Sequence, residues 1–478
     1  MIPRPSAFLV AAGTLAVSSL VEANPIKQVE KDVIVVGGGA GGAYAAVLLA
    51  QDHGQDIALI EKDSLLGGPV HTWIDPETGI PYELGVEAFL DYGKARQFFE
   101  RFNVPYTTAG NRDQSQDRYA DFKTGEWINY TAPTADEQTE AFHRYVKATE
   151  PYENIMLDGL WNFPTPDKIP EELLIPFGDF AKKHGFEAAV PTIWRDSAVG
   201  LGDVKIQPTF FALQSYPAPM ARVYIGEGQV LSAASHRNQD LYDAVADALG
   251  DSVYYNSVVV SSKRTSKGVS VTAKTSDGQL TRINAKRLLI AIPPVPENLA
   301  PFDLDKHERS IVAKTHHSKV FAGGVTASKI PFNTTIKNVV PTSNNWLDYP
   351  DLDFLQWFKG MNATNNNHKV MAFSDEDLDI DGARALVEES YKKLLEAGSL
   401  EGGDADLEWI TWEDRGGANV RSSLEDLKAG WVQELYSLQG RRSTWYTGAA
   451  WSVQLHTPTW AFSETVVSRL IKSLEEED

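Results

Sequence analysis

Asp32-Val33-Ile34-Val35-Val36-Gly37-Gly38-Gly39-Ala40-Gly41-Gly42 is the stretch that decides the fold of this chain. The run Asp32–Val36 is short, apolar and β-branched, which predicts a strand buried on both faces of a parallel sheet. Gly37, Gly39 and Gly42 follow as G-x-G-x-x-G. Gly37 permits a tight turn, Gly39 lets the backbone approach a pyrophosphate, and Gly42 lets the next helix pack close to the strand. Small residues from Gly41 through Gln51 carry that helix to Asp52-His53-Gly54, and Ile57–Ile60 reads as a second buried strand. The whole is one βαβ unit, whose helix N-terminus turns free N–H groups and a positive dipole towards phosphate. Glu61 stands 24 residues beyond Gly37, where an acid accepts hydrogen bonds from ribose hydroxyls.

Outward from this unit, Leu241–Leu249 has helical spacing and stops at Gly250. Short strands are expected at 252–255, 258–262, 269–275 and 282–285, forming a small antiparallel meander. Arg287–Ile292 reads as a separate buried strand, closed by Pro293-Pro294, which cannot continue a ladder. A last helix from Ser463 places Val466, Val467, Leu470, Ile471 and Leu474 on one face. These blocks predict a discontinuous nucleotide-binding domain over 24–90, 226–298 and 438–478. Two aromatic-rich segments, 91–225 and 299–437, are expected to form a substrate-binding domain. The expected fold class is α/β: a Rossmann-like domain of parallel sheet plus meander, interleaved with an α+β domain.

Composition narrows the function. The 478 residues are 42% apolar and 10% aromatic, enough for a large core and two or three structural units. The net charge is −21, and basic clusters such as Lys263-Arg264 and Arg441-Arg442 are only two residues long. This argues against nucleic acid and against anionic membrane surfaces. The absence of cysteine removes disulfides, zinc–thiolate sites, iron–sulfur clusters and a thiol nucleophile. No His-Glu-x-x-His pair is present, and no metal site is expected.

The start, Met1-Ile2-Pro3-Arg4, the apolar run Phe8–Leu20 and Val21-Glu22-Ala23 match a secretory signal peptide over 1–23, cut after Ala23. The run is too short for a membrane anchor, and no later segment supplies one. Sequons at Asn129-Tyr130-Thr131, Asn333-Thr334-Thr335 and Asn362-Ala363-Thr364 agree with a secreted glycoprotein. FAD and NAD share the glycine fingerprint. Outside the cell no diffusible nicotinamide pool exists, whereas a tightly held flavin travels with its protein, so FAD is the expected cofactor. Gly67-Gly68 offers a second close backbone approach to it.

The sequence resembles the amine-oxidase-like FAD-dependent oxidoreductases, and more closely the fungal β-cyclopiazonate dehydrogenase-like flavoproteins. Val35–Gly42, Glu61–Trp73, Tyr82–Phe89, Asn238–Tyr242, Leu289–Pro294 and Tyr446–Trp451 carry the resemblance. It covers the nucleotide-domain blocks well and the aromatic-rich segments poorly. The resemblance implies that Val258 sets its backbone against the adenine. It also implies that Gly85-Val86-Glu87 and Gly448-Ala449-Ala450 approach the isoalloxazine. Pro69 stands where amine oxidases carry an arginine after the Gly-Gly pair.

Amine oxidases also commonly place a lysine a few residues beyond the Pro-Pro turn, whereas here none follows until Lys306. A simple amine oxidase is therefore disfavoured. Flavin carries the hydride chemistry, leaving the protein to orient substrate and handle a proton. Glu87 and His71 are the catalytic candidates for the proton, and His71 is also a candidate for a covalent flavin link. Trp346, Trp357, Trp445, Trp451 and Trp460 are candidates to wall an aromatic pocket, with no more than two expected to do so. The expected activity is removal of a hydride from a hydrophobic small molecule of secondary metabolism, with oxygen as acceptor. A flavin-dependent double-bond isomerase and a non-catalytic flavin or ligand binder are the alternatives.

Overall fold

The computed structural model describes residues 26–108, 115–331, 333–340, 348–362, 366–375, 378–402 and 407–476. The leader read over 1–23, Trp346 and the Ala363-Thr364 half of the third sequon lie outside the described residues. In chain order, the elements that position the site begin with β1 (Lys27–Val36), α1 (Ala40–Val47), β2 (Ile57–Ile60), β3 (Gln116–Asp121) and β4 (Glu126–Trp127). Next come α2 (Gln239–Leu249), β5 (Val253–Tyr254), β6 (Ser257–Thr265), β7 (Gly268–Thr275) and β8 (Leu280–Ile290). They continue with β9 (His316–Thr326), β10 (Thr334–Asn338), β11 (Phe354–Asn362), β12 (Asn367–Ser374), α3 (Ile380–Glu396) and β13 (Glu408–Arg421). The chain closes with β14 (Thr444–Tyr446) and α4 (His456–Glu475).

The first sheet runs β5-β2-β1-β8-β7-β6, with β14 also on β8. Strands β5, β2, β1, β8 and β14 pair in parallel, and β6 and β7 add the antiparallel meander. Two sequence readings change here. The strand expected at 252–255 is not part of the meander, because Val253 and Tyr254 pair in parallel with Leu59 and Ile60. The strands expected at 282–285 and 287–292 are one strand, β8. Its outer edge is shared, with Leu280–Ala285 taking β7 and Leu288–Ile290 taking β14. Strand β1 also starts earlier than its apolar run, because Lys27–Lys31 pair with Thr281–Ala285. That half is largely solvated, so hydrophobicity could not mark it.

Helix α1 is buried from Gly41 to Val47. Its small side chains let α4 approach closely enough for Ser463 Oγ to donate to the Gly41 carbonyl at 3.3 Å. The second sheet runs β13-β9-β12-β11-β10-β3-β4. Strand alternation divides its two faces. Ile336, Leu355, Phe358 and Val370 point into a core with Val387, Tyr391 and Leu394 of α3, and Lys337, Trp357, Lys359, Lys369 and Met371 face a cavity between the sheets. Among the described residues no helix is long and apolar enough to cross a membrane.

A buried ion network locks β14 to the meander. Arg264, whose side chain is fully buried, pairs with Asp303 and Glu308 at 3.0 Å each. Arg442 pairs with the same two acids at 2.5 and 3.0 Å. Removing one member leaves uncompensated charge in a dry interior. Arg264→Ala is expected to lower the unfolding free energy by about 3–5 kcal/mol, measured by urea denaturation. An unchanged midpoint and slope would refute the structural role of the network.

Candidate active site

At the turn out of β1, Gly37 has φ +97, and a Cβ there would meet Ile292 Cγ2 at 2.7 Å. A Cβ on Gly42 would lie 1.8 Å from the Gly37 carbonyl oxygen, so only glycine lets α1 begin where it does. Gly39 differs: its nearest neighbour for a Cβ is the Gly68 Cα at 3.7 Å. Gly39 and Gly68 therefore bring two backbones together with nothing between them, at the cavity wall. Gly67, at φ +113, presses on Tyr242 of α2. The Gly38 N–H donates to Glu61 Oε2 at 2.5 Å and the Asp63 N–H to Oε1 at 2.9 Å. Burial pushes the Glu61 carboxyl above the ordinary range, against those two donors. A ribose diol would offer it further donors at the cavity edge.

One cavity of about 1760 Å³ runs from this turn to the second sheet. Its wall includes Val258 at one end and Gly85-Val86-Glu87 and Gly448-Ala449 further along. Gly85 is another enforced glycine, since a Cβ would fall 1.7 Å from the Pro69 carbonyl oxygen. Val258 is 49% exposed, as fits a residue offering backbone rather than packing. Buried donors and ring nitrogens without partners also line it: Gln454 Nε2, Trp357 Nε1, His456 Nε2 and two nitrogens of Arg415. Burial holds the His456 imidazole down to about 4, so it is neutral. Length, glycine cradle, buried acid and unspent donors together fit an elongated dinucleotide rich in hydrogen-bond acceptors, as FAD is.

Glu87 and His71 both reach the cavity but take different partners. Glu87 accepts from Lys359 at 3.0 and 3.2 Å and from Lys369 at 3.0 Å. Burial raises its carboxyl, but Lys369 and Lys359 outweigh it and hold the pKa down to about 2. Glu87 is thereby held as an ionised anchor for two ammoniums. Its folded pKa lies below the unfolded value of about 4.3. The stability it contributes is thus present above that value and is lost as pH falls through the folded one. His71 Nδ1 lies 3.6 Å from Glu413 Oε2. Burial and then Arg415 lower its pKa, with Glu413 opposing, so it is neutral at pH 7.

Of the tryptophans singled out in the sequence, Trp357 lines the cavity. Trp451 and Trp460 are fully buried core, and Trp445 packs against that core. Trp412 of β13 lines the cavity as well and had no signal in the sequence. Lys369 was missed too. No lysine follows the Pro293-Pro294 turn closely, yet the second sheet delivers Lys319, Lys337, Lys359 and Lys369 from four different strands. Lys369 is 4% exposed and also donates to the Gly85 carbonyl at 3.3 Å.

A glycine-loop βαβ unit opening into a cavity floored by a second sheet defines a dinucleotide-dependent oxidoreductase. A family signature described as an NAD(P)-binding Rossmann-like domain matches residues 35–102. The chain is 30% identical to β-cyclopiazonate dehydrogenase of Aspergillus flavus, over 99% of this chain and 100% of that one. It is 30% identical to the FAD-dependent oxidoreductase dpchF of Colletotrichum higginsianum, over 96% of this chain and 97% of that one. It belongs to this family of FAD-dependent oxidoreductases. Among solved structures, a fatty acid isomerase from P. acnes that produces CLA superposes with a TM-score of 0.68 at 18% identity, covering 92% of this chain and 98% of that one. A putrescine oxidase variant gives 0.60 at 17% identity, covering 93% and 100%. Both share the fold.

The two glycines separate folding from cofactor retention. Gly42→Ala forces a methyl into backbone and is expected to cost about 3 kcal/mol or more in stability. Gly39→Ala has room in the free protein, so its melting temperature should stay near that of the parent. Its flavin affinity, followed by fluorescence quenching on titration with FAD, should fall at least about tenfold as the methyl blocks phosphate approach.

Proposed function

We propose that the protein binds FAD and oxidises a largely apolar small molecule of secondary metabolism by hydride removal, with oxygen as electron acceptor. The observation that carries this is the continuity of the cavity from the Gly39–Gly68 cradle, past Gly85–Glu87, to the floor formed by Trp357, Met371 and Val320. Bound FAD supplies the hydride acceptor; everything else falls to side chains of this chain. The apolar floor takes the body of the substrate and excludes water. Lys359 and Lys369 both pair with Glu87, which fixes two ammoniums beside the Gly85 turn. Burial lowers the pKa of Lys369, with Glu87 opposing, so Lys369 is the group best placed to take up or return a proton there.

The names of the relatives support the oxidative reading, since β-cyclopiazonate dehydrogenase acts by dehydrogenation. Secretion belongs to the same proposal, resting on the leader in the sequence and on the exposed Asn129 and Asn333 of two sequons.

Anaerobic mixing of the yellow holoprotein with polycyclic metabolite candidates tests the reaction. Lasting loss of the flavin absorbance, restored by air with release of peroxide, is the expected result. Product formed without bleaching would make the enzyme an isomerase instead, and a colourless protein that gains no FAD would overturn the flavin assignment. Glu87→Gln removes the anion that favours the Lys369 ammonium, so Lys369 should deprotonate at lower pH. Because Lys369 must be unprotonated to take up the substrate proton, the acid limb of the kcat/KM profile should accordingly move to lower pH by about one unit or more; an unmoved limb would remove Lys369 from the proton path.

A further inference from the structure

A pyrophosphate brings two negative charges into the cavity, and the turn that receives it carries little charge of its own. Between Val36 and His71 the only lysine or arginine is Lys62, whose side chain is 54% exposed. Backbone N–H groups and the dipole of α1 remain, and for a partly buried dianion a guanidinium adds charge-assisted, bidentate hydrogen bonds.

The second sheet brings one to the correct place. Strand β13 is irregular opposite β9: Phe321 pairs with Asp414 and Lys319 with Gly417, so Arg415 and Gly416 together oppose Val320. Gly416 has φ +84, and a bulge of this kind re-aims a side chain out of the regular pleat. Arg415 points into the cavity with 7% of its side chain exposed. Its Nη1 lies 2.6 Å from Glu413 Oε2, the same oxygen that His71 Nδ1 approaches at 3.6 Å. His71 is three residues beyond Gly68, the residue whose backbone meets Gly39. The guanidinium is thereby tied, through Glu413 and His71, to the segment that follows the cradle, while its Nε and Nη2, both buried, have no acceptor. Buried donors left unpaired are costly and signal an acceptor that arrives with a ligand.

We propose that Arg415, delivered by the β13 bulge from the other sheet, pairs with the pyrophosphate of bound FAD and does for the phosphates what no residue of the glycine block does. The inference rests on FAD as cofactor. Glu413 and His71 are positioning residues: Glu413 holds one edge of the guanidinium and leaves the other free. One consequence is structural. Arg415, Glu413 and His71 already tie β13 to the segment after Gly68, so phosphate and both sheets would meet at one contact.

The test compares FAD with riboflavin, which has the ring but no phosphate, on the full chain and on Arg415→Met and Arg415→Lys, with dissociation constants from flavin fluorescence and melting temperatures of the apoproteins. Arg415→Met should weaken FAD by roughly tenfold to a hundredfold and leave riboflavin within about twofold, with Arg415→Lys intermediate. FAD affinity unchanged in Arg415→Met overturns the proposal, as does an equal loss for FAD and riboflavin, which would mean general damage to the cavity. Should Arg415→Met fail to fold, Arg415→Lys decides: it must weaken FAD while leaving riboflavin within about twofold, and FAD affinity equal to that of the parent overturns the proposal. A parent chain that binds neither flavin would sink the FAD reading itself, whereas a parent that binds FAD as tightly as Arg415→Met sinks only the role of Arg415.

Discussion

The constraint on which the rest of the structure depends is the absence of a side chain at Gly42. Its missing Cβ is the space filled by the Gly37 carbonyl oxygen, 1.8 Å from where that carbon would stand. Because α1 can start in that space, it lies directly against the end of β1, and its first turn faces the cavity rather than its flank. Helix α4 then packs on the small-residue side of α1, with Gly41 against Gly448 and Thr459. The loop after β14 is held by the same contact. A single close approach of backbones thus places the phosphate cradle and the far wall of the cavity in one frame.

Charge is distributed over that frame in opposed pairs. The protein carries a net charge of −21, yet the cavity face of the second sheet presents lysines from neighbouring strands and Arg415 from its edge. Each is steadied by an acid: Lys337 by Asp117, Lys359 and Lys369 by Glu87, and Arg415 by Glu413. Fixed, paired charges in a water-poor cavity act more strongly on a ligand than exposed ones do. The cations of the cavity are matched by acids of its own lining, and the net charge of the chain says nothing about either.

The nucleotide half of the site was legible because its signals are local. Gly37, Gly39, Gly42 and Glu61 lie within one βαβ unit, and each owes its role to backbone geometry that neighbouring residues enforce. The β8 strand was half legible: its apolar end read as a strand, while its polar end was split off, because solvated pairing leaves no hydrophobic trace. Lys359, Lys369, Trp412 and Arg415 were not legible. The two lysines stand on alternate positions of strands whose opposite face packs on α3, and a lone lysine in such a pattern looks like an ordinary solvated face; Arg415 is aimed by a bulge, and Trp412 also packs on α3. Glu87 was found as a cavity residue, but its chemistry depends on two lysines more than 270 positions away in sequence.

By itself, then, the sequence determined that this chain builds a dinucleotide-binding βαβ unit with no thiol chemistry available to it, because glycine spacing and composition act through neighbours along the chain. The tertiary structure alone decided which charges meet the ligand. Ionisation states and ion-pair partners depend on distances of a few ångströms between strands far apart in the chain, and those distances exist only once the second sheet has folded over the first.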